Sequence, residues 1–333
     1  MEKIKIYVSS RIAEVLLKDA EGFEFFKKDG RTVNKNALLT RLTVNYHAKF
    51  AAEQDELFNF IKSRMPRLGV NGSALDELCF DLCEKLNERS AAPAGEKFDK
   101  LVSLKPTKES EPVIEYIERY SLCGRTLSEY FRSMFSSYAA LPQDKREQII
   151  FKPQYDAVLE AIKEKKRVFL TLGSEYGRKM EVAPYALATS KEEMHCYVLT
   201  AQKACAPLRL SRIVSVTKLA ADASFTPQQI EIFEKMQKYG PQFIYKNGES
   251  EVLVELTARG IDKFKRLYVH RPVPDRVENN KYYFNCSHSQ IVQYFVRFGE
   301  DAEIVYPERV RDEIYDYHRR ALGRYCEPRR DGQ

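Results

Sequence analysis

The 333-residue sequence has no uninterrupted apolar run near the roughly 18 residues of a membrane span. Its charged start, Met1-Glu2-Lys3-Ile4-Lys5, is followed by neither an apolar core nor a cleavage site. No membrane association is expected, and a cytoplasmic location is. Paired Cys-x-x-Cys modules are also missing: the seven cysteines, at 79, 83, 123, 196, 205, 286 and 326, lie scattered in apolar surroundings. Such a set reads as reduced thiols rather than a disulfide framework. Cys79 and Cys83 share a helix face at i,i+4, but no second pair of metal-ligand spacing accompanies them. Histidine is scarce, at five, and no paired carboxylates, Cys/His couple or metal set stands out. The expectation is a non-enzymatic protein with no cofactor and no metal. What is present is an ordinary mixture, 44% hydrophobic and 31% charged, long enough for two or three domains. The net charge of +6 suits a polyanionic partner.

The N-terminal region repeats itself. Residues 3–8 alternate polar and apolar side chains as a half-buried strand does, with Ile4, Ile6 and Val8 on one face and Lys3, Lys5 and Tyr7 on the other. A helix capped by Ser9 or Ser10 follows, carrying Ile12, Val15, Leu16, Phe23 and Phe26 until Lys28-Asp29-Gly30 ends it. A second helix starts near Asn34 or Asn36. The same order returns as a strand over 100–104, a helix from about Glu109, a stop at Gly124 and a helix from Ser128. Even the turns match, Gly30-Arg31-Thr32 against Gly124-Arg125-Thr126. Strand, helix, turn, helix resembles a ribbon-helix-helix unit, and two copies, about 1–50 and 97–141, would supply each other's partner strand within one chain. Residues 50–65 and 73–89 read as inserted amphipathic helices, and 91–95 as a loop. The resemblance implies a ribbon whose outward side chains contact nucleic acid: Lys3, Lys5 and Tyr7 from one copy, Leu101, Ser103 and Lys105 from the other. So unequal a pair favours phosphate or single-strand contact over symmetric operator reading. Lys3 and Lys5 as the solvated face of an edge strand is the plainer alternative.

Residues 153–166 read as a helix feeding short strands at 167–172, 179–184, 194–200, 208–210 and 214–219, a pattern for a small SH3- or Sm-type barrel. The Val182-Ala183-Pro184-Tyr185 segment, the tripeptide Cys196-Tyr197-Val198 and the run Leu208-Arg209-Leu210-Ser211-Arg212-Ile213 resemble the WYL family. The resemblance implies a groove of Ser, Tyr, His and two Arg that binds nucleotides or single strands. It carries over to Ser174, Tyr197, Arg209 and Arg212, with the His position falling near Lys203; the namesake Trp is Cys196. Arg forks grip phosphate bidentately and a Tyr ring stacks on bases. Arg178 and Lys179 extend the basic surface. Arg209 and Arg212 as ordinary exposed strand-end residues remain the alternative.

The remaining order, strand 251–257, helix 260–267, hairpin 276–286 about Asn279-Asn280, helix 289–298, strand 302–305 and a helix from Pro307 to about Tyr325, reads as a ferredoxin-like extension. Arg319, Arg320, Arg324, Arg329 and Arg330 give it a basic tail. Arg41–His47 and Arg311–His318 fit the loose Arg-x-His spacing of some helical ribonucleases, but nothing polar accompanies either. His195 and His270 lie on strand-like segments and read as structural.

The predicted class is therefore multidomain α+β, with a helical region over 1–145, a linker helix and WYL domain over 146–224 and the extension over 225–333. That arrangement resembles the accessory WYL proteins of type VI-D CRISPR systems. The resemblance implies single-stranded RNA binding, with DNA as the other strand to test, stimulation of a CRISPR effector ribonuclease, and a homodimer formed through the extension. A ligand-responsive DNA-binding transcriptional regulator is the alternative function.

Overall fold

The computed structural model describes residues 2–65, 72–91, 97–122, 124–173, 178–202, 204–246 and 248–326. It is a mixed α+β chain with antiparallel sheets that divides into two compact units. The first comprises Met1–Ala157, Leu172–Tyr176 and Leu210–Val214, and the second the remainder.

In chain order, the first unit contains β1 (Ile4–Val8), α1 (Ser10–Gly22), α2 (Lys35–Arg64), α3 (Ser73–Ala91), β2 (Lys100–Leu104), α4 (Glu111–Tyr120), α5 (Leu127–Ala140) and α6 (Gln143–Ile150). α7 (Lys152–Lys163) follows, and the division between the units falls within it. β1 pairs antiparallel with β2, with Lys5 opposite Ser103, Ile6 opposite Val102 and Tyr7 opposite Leu101. Because side chains alternate across a strand, one register decides both faces. Ile6, Val8 and Leu104 are fully buried, and α1, α2 and α5 pack on the ribbon. Three of these helices begin with a side-chain cap. Ser9 caps α1, Asn34 caps α2, and Thr126 closes a reciprocal capping box with Glu129 at the start of α5. The two matching turns share a left-handed glycine, Gly30 at φ 65° and Gly124 at φ 86°, a conformation that disfavours a Cβ.

A buried charge cluster locks the two halves. The Asp19 carboxylate accepts from Arg146 Nε at 2.7 Å, Arg146 Nη2 at 2.8 Å and Tyr138 Oη at 2.7 Å. Burial, reinforced by the Asp19 charge, pushes the Tyr138 phenol well above its ordinary value, so it stays a donor. Removing Asp19 or Arg146 from such a cluster strands the other buried charge, at a cost of about 3–5 kcal/mol.

Several boundaries differ from expectation. α1 stops at Gly22 rather than running through Phe26, because Glu24 turns left-handed at φ 63° and Phe26 bridges Val33 as extended chain. Asp29 holds that excursion shut by accepting from the backbone of Arg31 and Thr32 and from the Thr32 hydroxyl. The two helices expected on either side of residue 49 are one continuous α2, since the Ala48–Gln54 stretch offers no Gly or Pro to break it. α6 is additional to the expected linker helix. Most of the 91–95 loop lies outside the described residues.

The second unit holds most of a five-stranded sheet made of β3 (Lys166–Leu172), β4 (Lys179–Thr189), β5 (Cys196–Ala201), β6 (Cys205–Arg209) and β7 (Ile213–Asp222), in the order β6-β5-β4-β3-β7. β4 runs past the expected Pro184 end, its register shifting between Pro184 and Ala186. β5 starts at Cys196 instead of Met194, whose φ of 55° belongs to a turn. α8 (Pro227–Tyr239), absent from the expected elements, packs Phe233 against Tyr185 with ring centroids 4.5 Å apart.

β8 (Val252–Leu256), α9 (Ala258–Arg266), β9 (Arg276–Glu278), β10 (Lys281–Phe284), α10 (His288–Phe295), β11 (Ala302–Tyr306) and α11 (Glu308–Cys326) complete the chain. Their sheet is ordered β11-β8-β10-β9, with the hairpin turning at left-handed Asn279. Val252, Val254, Phe284, Tyr294, Phe295 and Phe298 form its core. α9 starts in contact with the turn before β11. A Cβ on Gly260 would lie 2.1 Å from the Asp301 carbonyl oxygen, so only glycine permits the approach. The buried Asp301 carboxylate accepts from Arg259 Nε at 2.8 Å and Thr257 Oγ1 at 3.1 Å, and also from Lys263.

Those donors, Arg259 first, hold the Asp301 carboxyl down at about 2. A depressed folded-state carboxyl stabilises the fold above its unfolded value near 3.8, and the contribution disappears as pH falls towards 2. Acid titration followed by circular dichroism should therefore show stability falling between about pH 4 and pH 2. Asp301→Asn should flatten that segment of the curve, and an unchanged acid limb would show that the cluster is not linked to folding.

Candidate nucleic-acid interface

The outward ribbon face lies within the first unit. Lys3 and Lys5 are exposed, and Tyr7 and Leu101, directly opposed across the strands, are 49% and 51% exposed. Ser103 is half-buried and Lys105 exposed. The face is held rigidly from behind. The Lys5 carbonyl accepts from Ser128 Oγ at 3.0 Å and the Tyr7 carbonyl from Arg132 Nε at 3.0 Å, so α5 occupies the free edge of β1. Arg132 also stands over the Phe98 ring at 5.1 Å. At the far end of β2, Asn36 bonds both the Lys105 amide at 2.7 Å and its carbonyl at 3.0 Å. The result is a fixed platform with an apolar pair towards one end of its outward face and cations towards the other.

The five-stranded sheet brings together some of the other predicted residues. Tyr197 and Arg209 are cross-strand partners and so project from one face. The Tyr197 ring is only 6% exposed, and its hydroxyl donates to Glu193 Oε2 at 2.6 Å. Arg209 Nη2 donates to the His195 ring, 3.0 Å from Nε2. A guanidinium cannot accept, so the imidazole presents a lone pair to it. Arg178 and Lys179 are exposed, but Lys179 pairs with Thr171 at the opposite end of β4 from the Ala188–Tyr197 pair, so they do not extend this surface as expected. Arg212 belongs to the first unit, where Nε and Nη2 reach Glu24 Oε1 at 3.2 and 2.9 Å. Ser174 and Lys203 lie outside the described residues.

Three participants were not anticipated. His195, taken as a structural strand residue, sits in the turn before β5, where its carbonyl accepts from Ser190 N and its ring meets Arg209. Its position two residues from Tyr197 was the available signal, since period two puts both on one side. Glu193 gave none. Glu24 lies 188 residues from Arg212, and no local pattern links them. His270 likewise occupies a turn, with φ 62° and its amide donating to Glu192 at 2.7 Å. Among the described residues no three His, Cys, Asp or Glu side chains are grouped to hold a metal. The cysteines described are free, and all but Cys326 are buried.

No family model and no curated protein matches the sequence. Among solved structures, the chain is similar to the crystal structure of a CRISPR Cas-related protein, at TM-score 0.59 and 19% identity, over 98% of this chain and 95% of the other. A proteasome accessory factor B/C (PafBC) of Arthrobacter aurescens aligns over 94% of this chain and 54% of its own at 14% identity. Its TM-score of 0.25 is too low to imply a common fold. The first likeness extends over nearly the full length of both chains and establishes a shared fold.

Tyr197→Phe removes one hydroxyl beneath Arg209 and takes a donor from Glu193. The expected cost is about 1 kcal/mol in urea unfolding, with the transition slope unchanged. A loss several times larger would mean that the phenol is a keystone of the sheet rather than an orienting group.

Proposed function

We propose that this chain is a non-catalytic nucleic-acid-binding accessory protein that takes single-stranded RNA and stimulates an RNA-guided CRISPR ribonuclease effector. The observation that carries the reading is the exposed Tyr7–Leu101 pair towards one end of the ribbon's outward face, which Lys5 and then Lys3 and Lys105 continue towards the other. An exposed aromatic beside an aliphatic chain serves the face of an unpaired base, and the lysines along the rest of the face serve the phosphates. The shared fold with a CRISPR Cas-related protein supports the context.

On this reading the two strand-helix-helix halves are ribbon-helix-helix units and the five-stranded sheet is a WYL barrel of SH3/Sm type. The β11-β8-β10-β9 sheet, with its outer strands fourth and second in sequence, is then a ferredoxin-like extension. That extension joins two copies of the chain, consistent with Tyr315, Leu322 and Tyr325 standing exposed on α11. Tyr197, Arg209 and His195 form a second contact surface, whose phenol orients rather than stacks.

A ligand-responsive DNA-binding regulator is the second reading. It is favoured by one feature: a two-stranded antiparallel ribbon with one free face has the dimensions the major groove admits. Binding of single-stranded RNA, single-stranded DNA and duplex DNA at several salt concentrations separates the two. Tyr7→Ala should weaken single-stranded RNA by about 1–3 kcal/mol, roughly 5- to 150-fold. Lys3→Ala/Lys5→Ala should reduce the salt slope by about 1.4, at about 0.7 for each phosphate contact. Preference for duplex DNA with no response to Tyr7→Ala would overturn the accessory reading.

A further inference from the structure

A cavity of about 430 Å³ opens in the first unit among α2, α3, α4 and the turn that leads into α5. It lies on different elements from the ribbon. A volume of this size falls within the range of pockets for nucleotide-sized ligands.

Two aromatic pairs line it. Phe58 and Phe80 lie with centroids 4.5 Å apart, and Tyr116 and Tyr120 lie 5.1 Å apart. Tyr116 and Tyr120 are 52% and 69% exposed, one turn apart on α4, so most of their ring surface faces solvent. Burial raises the pKa of the Cys83 thiol, which leaves a neutral sulfur in the cavity wall.

The polar groups are few and fixed in place. His47 Nδ1 sits 3.2 Å from the carbonyl oxygens of both Thr43 and Val44. Only a protonated Nδ1 bonds a carbonyl, so in the neutral ring Nε2 carries the lone pair. Arg125 is held by Nε to the Leu122 carbonyl at 3.1 Å, by Nη2 to the Ser121 carbonyl at 3.4 Å, and over the Tyr130 ring at 5.5 Å. Those bonds fix the plane of the guanidinium in the cavity wall. Gln54 and Asp55 add an amide and a carboxylate.

A purely apolar guest would desolvate Arg125 and Asp55 without return, and a cation would meet one carboxylate and one guanidinium. A guest with a planar face, a hydrogen-bonding edge and an anionic group meets every part of the lining. We propose that this cavity binds a nucleoside monophosphate moiety, its base against the Phe58/Phe80 and Tyr116/Tyr120 walls and its phosphate on Arg125. The inference does not depend on the ribbon's role: loss of AMP binding would leave strand affinity at the ribbon as it was.

The test is calorimetric titration of the intact chain with AMP, adenosine and inorganic phosphate. One AMP should bind per chain, adenosine should bind at least tenfold more weakly, and phosphate should not compete. Tyr120→Ala, at a largely exposed position, should weaken AMP by about 5- to 150-fold. Arg125→Gln should erase the preference for AMP over adenosine. Because Arg125 also braces its turn, Tyr120→Ala decides the matter if the Arg125 variant misfolds. A short oligoadenylate identifies the source: displacement of AMP from the unsubstituted chain makes the guest a base of a strand, and no displacement makes it a free nucleotide. Absence of saturable AMP binding, or AMP binding unchanged in Tyr120→Ala, would overturn the proposal.

Discussion

The antiparallel pairing of Ile4–Val8 with Lys100–Leu104 is the constraint on which the first unit depends. It closes roughly 95 residues of chain into a loop, at an entropic cost of about 4 kcal/mol. Burying Ile6, Val8 and Leu104 under α1, α2 and α5 returns about 1.5–3 kcal/mol for each side chain. The two terms are comparable, and the net stability comes from what the closure brings together: the Asp19–Arg146–Tyr138 cluster and the aromatic core of α2 and α5. A shift of one residue in register would put Lys5 and Tyr7 inside and Ile6 outside, so core and candidate interface are specified by one event.

Two of the predicted residues already carry acidic partners. Tyr197 donates to Glu193, and Arg212 is paired with Glu24. An approaching anion competes with a carboxylate already in place, so such groups respond to a ligand by exchanging partners. The ribbon differs in kind: its backbone is fixed from behind by Ser128 and Arg132, and its outward side chains meet solvent. Affinity on a platform of that sort comes with little ordering cost, because the backbone is already in place.

Much of the fold was legible because the determinants are local. Alternation in residues 3–8, the caps at Ser9, Asn34 and Thr126, and the glycines at 30 and 124 each act within a few residues. The failures trace to signals that local pattern does not carry. Phe23 and Phe26 look like one continuing helical stripe, yet Phe23 packs, with Phe25, on Phe151, a partner far along the chain. Thr226-x-x-Gln229 after a strand was a readable capping box for α8, and Pro227 at its first turn strengthened it. The outward face of the ribbon was legible, because period two sorts Lys3, Lys5 and Tyr7 outward. The rest was illegible where Glu24 and Glu193 enter, because a carboxylate on a turn carries no mark of the residue it will meet.

The central claim is that an unpaired strand lies on the ribbon face. Photocross-linking of single-stranded RNA carrying 4-thiouridine, followed by peptide mass spectrometry, addresses it directly. The account predicts adducts on Tyr7 and on the segments 3–8 and 100–105. Adducts confined to other segments, with both ribbon strands unlabelled, would contradict it.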